Sequence, residues 1–307
     1  MQGLLDHLKG DPLSWLLEPE NPHIRNWTLV DVLGRLANDP DVLKTGAAIA
    51  RQPRVKELFA LQRPEGHWGD DETKPYTAEG AVTALTLLHM LGVKPDKRTT
   101  AGCDSFLQFC QHESGGFSLT KTLHSGIFPC TTGEHLSFLV YFGLGDDPRV
   151  RRAFTFLIED MTTEDALDCG RYQHRDCLWG AIATLNGLAA LPDDMRSKSE
   201  RVVNRLANAL LDARYDFAGE HKRWLTFGVP RAWDLLSALK ALAAHGYARD
   251  PRFAPLLERV LNRQDGQGRW VCGSVSRTWP LEKRNQPSKW VTLDALRVIK
   301  TVVRDQR

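Results

Sequence analysis

Cys130, Cys169, His174 and Cys177 together supply three thiols and an imidazole, the donor set that suits a tetrahedral Zn²⁺ ion. Cys130 directly precedes an apolar run that starts near Thr131, and Cys177 directly precedes another that starts near Leu178. If both runs are helices, both thiols stand at helix N-termini. There the unpaired N–H groups and the macrodipole favour the thiolate, the form that binds metal. His174 leads as fourth ligand, with His124, Asp168, His135 or a water as alternatives. A closed Cys₃His set makes the zinc structural, whereas a water in the fourth place leaves a catalytic position. Cys103 and Cys110 have the spacing of core residues, and Cys272 lies too far along the chain to join the cluster.

A second group of residues could hold a ligand. Glu134 and His135 follow Cys130, Trp179 follows Cys177, and Arg231, Trp233 and Asp234 open a fifth apolar run. Lys289 and Trp290 open a sixth. Aromatic, basic and acidic groups mixed in this way suit an amphipathic ligand with an apolar tail and a polar head. Trp68 and Trp270 are read instead as cement at helix ends, and Asp70-Asp71-Glu72 as a solvated loop.

The elements that must position these residues follow from a repeat. Gln62-x-x-x-Gly66-x-Trp68, Gln111-x-x-x-Gly115-x-Phe117 and Gln264-x-x-x-Gly268-x-Trp270 share one pattern at a period near 50 residues, with degenerate copies expected near Met161 and Ala213. In each copy a helix introduced by Pro53, Pro148 or Pro251 runs into the Gln turn, and a more apolar helix follows a loop. The second helices start near Trp27, Thr77, Thr131, Leu178, Val229 and Val291, and several end at a glycine: Gly92, Gly143, Gly246. Apolar residues lie on more than one stripe of AVTALTLLHMLG and AIATLNGLAAL, as in helices buried on both sides.

The pattern predicts an all-α fold, an α/α toroid of six inner and about six outer helices, as one domain over 1–307. The amino-terminal helix fills the outer place that the truncated last repeat lacks. The long loops open on one face, and loops of that length are uncommon unless they serve a function.

The Gln-x-x-x-Gly-x-Trp signature at this period resembles the QW repeat of the squalene cyclase and protein prenyltransferase superfamily. Phe128-Pro129-Cys130-Thr131-Thr132-Gly133, the segment ending Cys177-Leu178-Trp179-Gly180, and Pro287-Ser288-Lys289-Trp290-Val291-Thr292-Leu293 are similar to a prokaryotic group of such proteins. The resemblance implies an α/α toroid with an aromatic-lined centre for an isoprenoid chain. It does not carry catalytic residues over. The sequence has no Asp-x-Asp-Asp of the protonating cyclases, no Asp-Asp-x-x-Asp, and no Asp-x-Cys of the prenyltransferase zinc site. Two readings remain: a terpene cyclase-like or prenyltransferase-like zinc enzyme acting on an isoprenoid or other hydrophobic small molecule, and a zinc-stabilised scaffold that binds a lipid, peptide or protein without catalysis.

Bulk composition narrows the partners. With 40 basic against 38 acidic residues and a net charge of +2, the chain lacks the broad basic field of a nucleic-acid binder. No run of about 18 apolar residues occurs, and Asp6 and Lys9 interrupt the apolar amino end as no signal peptide would. These features predict no integral membrane association and a cytoplasmic location, where the six cysteines serve as reduced thiols or metal ligands.

Overall fold

The computed structural model describes residues 2–118, 126–163, 167, 177–213, 224–229, 233–276 and 280–305, and the chain it describes is mostly helical. In chain order the helices are α1 (Gln2–Leu5), α2 (Leu13–Leu16), α3 (Pro22–Trp27), α4 (Pro40–Ile49), α5 (Pro53–Ala60), α6 (Ala81–Met90), α7 (Lys97–Cys110) and α8 (Pro129–Leu139). Then come α9 (Pro148–Asp160), α10 (Leu178–Leu188), α11 (Arg196–Asp212), α12 (Leu235–Ala244), α13 (Phe253–Leu261) and α14 (Lys289–Asp305). Wider π turns extend α3 over Thr28–Val32 and α8 over Val140–Leu144. The chain forms two compact units: Met1–Gln52 with Leu211–Arg307, and Pro53–Leu210.

Local chemistry sets many of the boundaries. Asp96 caps α7 by accepting from the Arg98 and Thr99 amides at 2.9 and 3.0 Å, while its own amide donates to Thr99 Oγ1 at 2.9 Å. Asp39 and Asp147 cap α4 and α9, each followed by a proline in the first turn. Other starts differ from the sequence expectation. Helix α3 begins at Pro22 and not near Trp27, and α6 begins at Ala81 because Thr77–Gly80 closes a turn first, the Gly80 amide donating to Thr77 O at 3.0 Å. Val229 lies in a short strand, so α12 waits for its cap at Asp234. Helix α13 starts at Phe253, two residues after Pro251, behind a turn in which Asp250 accepts from the Arg252 amide.

The Gln-Gly-Trp turns are built alike. Gln62 Nε2 donates to Gly66 O and to Arg98 O at the start of α7, and Gln111 Nε2 donates to Gly115 O and to Arg149 O at the start of α9. Gln264 Nε2 donates to His7 O and Leu261 O, while the Lys9 amide donates back to Gln264 Oε1 at 2.8 Å. The amino-terminal segment therefore takes, at the third turn, the place that a following helix takes at the first two. The glycines hold positive φ (97° at Gly66, 98° at Gly115), and a Cβ there would stand 2.7 Å from Ala101 O and 2.6 Å from Arg152 O. Trp68 and Trp270 are fully buried, their indole N–H groups donating to Leu58 O and Val260 O. They cement helix ends, as read from the sequence.

The first unit also contains two small sheets that tie its loops together. β1 (Gly228–Val229) pairs in parallel with β3 (Ser274–Val275), and β2 (Val271–Cys272) pairs antiparallel with β4 (Gln286–Pro287).

Candidate functional site

In the second unit α8 and α10 pack backbone against backbone. A Cβ on Gly133 would lie 2.4 Å from Ala183 O, and one on Gly187 would lie 2.7 Å from Gly133 O, so only glycine permits this approach. Cys130 sits in the first turn of α8 and Cys177 caps α10, its Sγ accepting from the Gly180 amide at 3.4 Å. The positive end of α10 is thus directed at that sulfur. Both thiols are half-buried, whereas Cys103, Cys110 and Cys272 are buried, and burial pushes all three of those thiols up. Cys169 and His174 lie outside the described residues, as do His124 and Asp168. Among the described residues no three His, Cys, Asp or Glu side chains converge on a metal position.

Glu134, one turn beyond Cys130, is half-buried, but His135 is 1% exposed. The His135 ring lies 5.4–5.5 Å from Tyr76, Phe106 and Phe138, and its Nδ1 faces Thr131 O. A carbonyl only accepts, so Nδ1 carries the proton. Trp179 stands half-buried in the first turn of α10. The half-buried positions are Thr83, Thr86, His89 and Met90 on α6, Pro129, Cys130, Glu134 and Ser137 on α8, and Leu178, Trp179 and Asn186 on α10, the rest of each helix being buried. These stripes carry hydroxyl, amide, carboxylate, thiol and imidazole groups beside one indole and a few apolar side chains.

In the first unit Asp234 is 3% exposed and caps α12, accepting from the Ser237 amide at 2.8 Å and the Gly228 amide at 3.2 Å. Burial, with Asp294 adding, pushes its carboxyl up to about 6, against the pull of those N–H donors. Trp233 is half-buried, and Arg231 lies outside the described residues. Lys289 and Trp290, expected to face a ligand, are engaged in packing. Lys289 Nζ donates to Trp15 O at 2.7 Å and pairs with Glu18, and its charge stands 5.2 Å from the Trp15 ring centre. Trp290 is 5% exposed and stacks on His23 at 5.5 Å, and its backbone N–H donates to Glu282 Oε1.

Four charged residues escaped the sequence reading: Asp31, Lys240, Asp294 and Arg297. Lys240 Nζ donates to Asp294 Oδ2 at 2.7 Å, and Arg297 donates to Asp294 Oδ1 at 2.8 Å and, through Nε, to Asp31 Oδ2 at 2.9 Å. The available signal was charge inside otherwise apolar helices, Lys240 within LLSALKALAA and Asp294 and Arg297 within WVTLDALRVIK.

No family model matches the chain, and no curated protein does. Solved structures similar to it include these two. A protein from Actinoplanes is 16% identical, the match covering 92% of this chain and 90% of that one, with a TM-score of 0.46. The type II terpene cyclase MstE from Scytonema, in its apo form, is also 16% identical, over 85% of this chain and 98% of that one, with a TM-score of 0.33. Likenesses this loose carry no inference about activity.

Proposed function

We propose that the chain is an α/α toroid that binds one zinc ion through Cys130, Cys169, Cys177 and His174 and acts as an enzyme on an amphipathic small molecule. The observation that carries the reading is the contrast between the thiols. Cys130 and Cys177 stand accessible at the N-termini of two helices joined through Gly133 and Gly187, while the other described cysteines are sealed in the core. Support for the ring comes from Gln264, which bonds to His7 as the earlier glutamines bond to the next helix.

The half-exposed stripes shape the ligand. Glu134, Ser137 and Asn186 supply more hydrogen-bonding groups than an isoprenoid chain alone would use, and Trp179 supplies an apolar face. The ligand therefore has an apolar body and a polar head. Native mass spectrometry of the protein purified without detergent, followed by analysis of the extracted small molecule, tests this. The expected result is one bound amphipathic species that Trp179→Ala releases. Loss of the reading follows if the wild type takes up no small molecule from a total cell extract, or if Trp179→Ala retains it fully.

A further inference from the structure

Three helical segments of the first unit each place charge on a wall that is otherwise apolar. Around Lys240 on α12, and around Asp294 and Arg297 on α14, the neighbouring positions Leu239, Ala241, Leu293, Ala295, Leu296 and Val298 are all buried. The four charged side chains nevertheless stay accessible to water: Lys240 by 35%, Asp31 by 30%, Asp294 by 27% and Arg297 by 25%. Each is flanked by buried neighbours and is still reached by water.

They form one alternating row, Lys240⁺, Asp294⁻, Arg297⁺, Asp31⁻, neutral in itself, with Lys300 Nζ beside its Asp31 end, donating to the Asp31 backbone carbonyl at 2.7 Å. Its middle is engaged on both sides. Asp294 takes Lys240 on one oxygen and Arg297 on the other, and Arg297 spends Nε, NH1 and NH2 on Asp294 and Asp31. Its ends are open. An ammonium has three donors, and among the described residues that of Lys240 gives only one, to Asp294. Asp31 receives both of its Arg297 bonds on Oδ2, leaving Oδ1 without a described donor.

Stability gives little reason for the row, because ion pairs that water reaches contribute little to the fold. Asp31 is moreover presented by the π turn Thr28–Val32, a distortion that recurs at functional sites. A lone anion at Lys240 is repelled by Asp294, and a lone cation at Asp31 is repelled by Arg297. A ligand that carries both charges meets an attractive partner at each end.

We propose that this row recognises a zwitterion, with the carboxylate on Lys240 and the ammonium on Asp31. The proposal deepens the reading above by naming the polar head of its ligand, and it rests on that reading only for the apolar body. The probes are ω-amino acids of increasing length, from glycine to 8-aminooctanoate, titrated calorimetrically at low salt against the full chain, with hexanoate and hexylamine as singly charged controls.

Affinity should peak at one chain length and exceed that of either control at least tenfold. Lys240→Met and Asp31→Asn should each lose at least tenfold at that length, and Lys240→Arg should retain binding. Equal binding of hexanoate or hexylamine, affinity without a length optimum, or unchanged binding by folded Lys240→Met overturns the proposal. So does a wild type that binds none of the probes. The length series uses the wild type alone, so it decides the matter even if a variant fails to fold. Should the series fail while the extracted small molecule still binds and depends on Trp179, the zwitterion site is wrong and the broader reading stands.

Discussion

Gly133 of α8 meets Ala183 of α10 so closely that a Cβ at Gly133 would lie 2.4 Å from the Ala183 carbonyl oxygen and 2.9 Å from the Thr184 Cα. Backbone cannot swing aside as a side-chain tip can. Gly133→Ala should therefore destabilise the protein by about 1–3 kcal/mol, the usual cost of overpacking a filled core. Gly145→Ala is the control, since its Cβ would meet only Val140 methyls at 3.6 Å and beyond. Chemical unfolding of both variants checks this, and equal stability for Gly133→Ala would mean the two helices do not touch as described.

Asp234 should make stability depend on pH. Its folded pKa, about 6, lies above the ordinary 3.8, so the protonated form is the one the fold favours. Its contribution is fully present below about pH 4 and is lost as pH rises through 6, by on the order of 3 kcal/mol. Asp234→Asn removes the charge and keeps one oxygen for the Ser237 amide, while its NH2 replaces the oxygen that accepts from Gly228, a loss that applies at every pH. Its stability relative to wild type should therefore rise with pH, by on the order of 3 kcal/mol between pH 4 and pH 7.5. Urea melts across this range decide it, and a difference that does not change with pH contradicts the account.

Gln264 joins residues that lie 257 positions apart in the chain, donating to His7 O and accepting from the Lys9 amide. Its replacement by Ala leaves those backbone groups without their partner, at a cost of about 1–3 kcal/mol. Hydrogen exchange localises the effect. The Lys9 amide should lose protection in Gln264→Ala, while the Gly66 amide of the first turn, bonded to Arg63 O, keeps it.

The parts of this structure that were legible in the sequence are those governed by nearby residues. Gln62, Gly66 and Trp68 must recur together because the glutamine satisfies the turn's carbonyl, the glycine adopts positive φ and the indole needs an acceptor on the preceding helix. Gly92, Gly143 and Gly246 all hold positive φ at helix ends, as their spacing suggested. What was not legible depended on distant partners. Lys289 reads as a loop cation until Trp15 and Glu18, more than 270 residues away, are placed beside it. Asp294 and Arg297 look like an ordinary i,i+3 surface pair, and only the packing of α12 and the π turn of α3 turns them into a row with Lys240 and Asp31. The helix starts at Ala81 and Leu235 were set by turns and a capping carboxylate that periodicity does not register.

The zinc site is the central claim, and metal content measures it most directly. Elemental analysis of the purified chain should find one zinc per molecule in the wild type and in Cys110→Ser, whose thiol is buried in the core. Cys130→Ser and Cys177→Ser should carry far less and melt at lower temperature, because zinc binding contributes to folding free energy. A wild type without zinc, or a Cys130→Ser variant that keeps its full complement, would contradict the account.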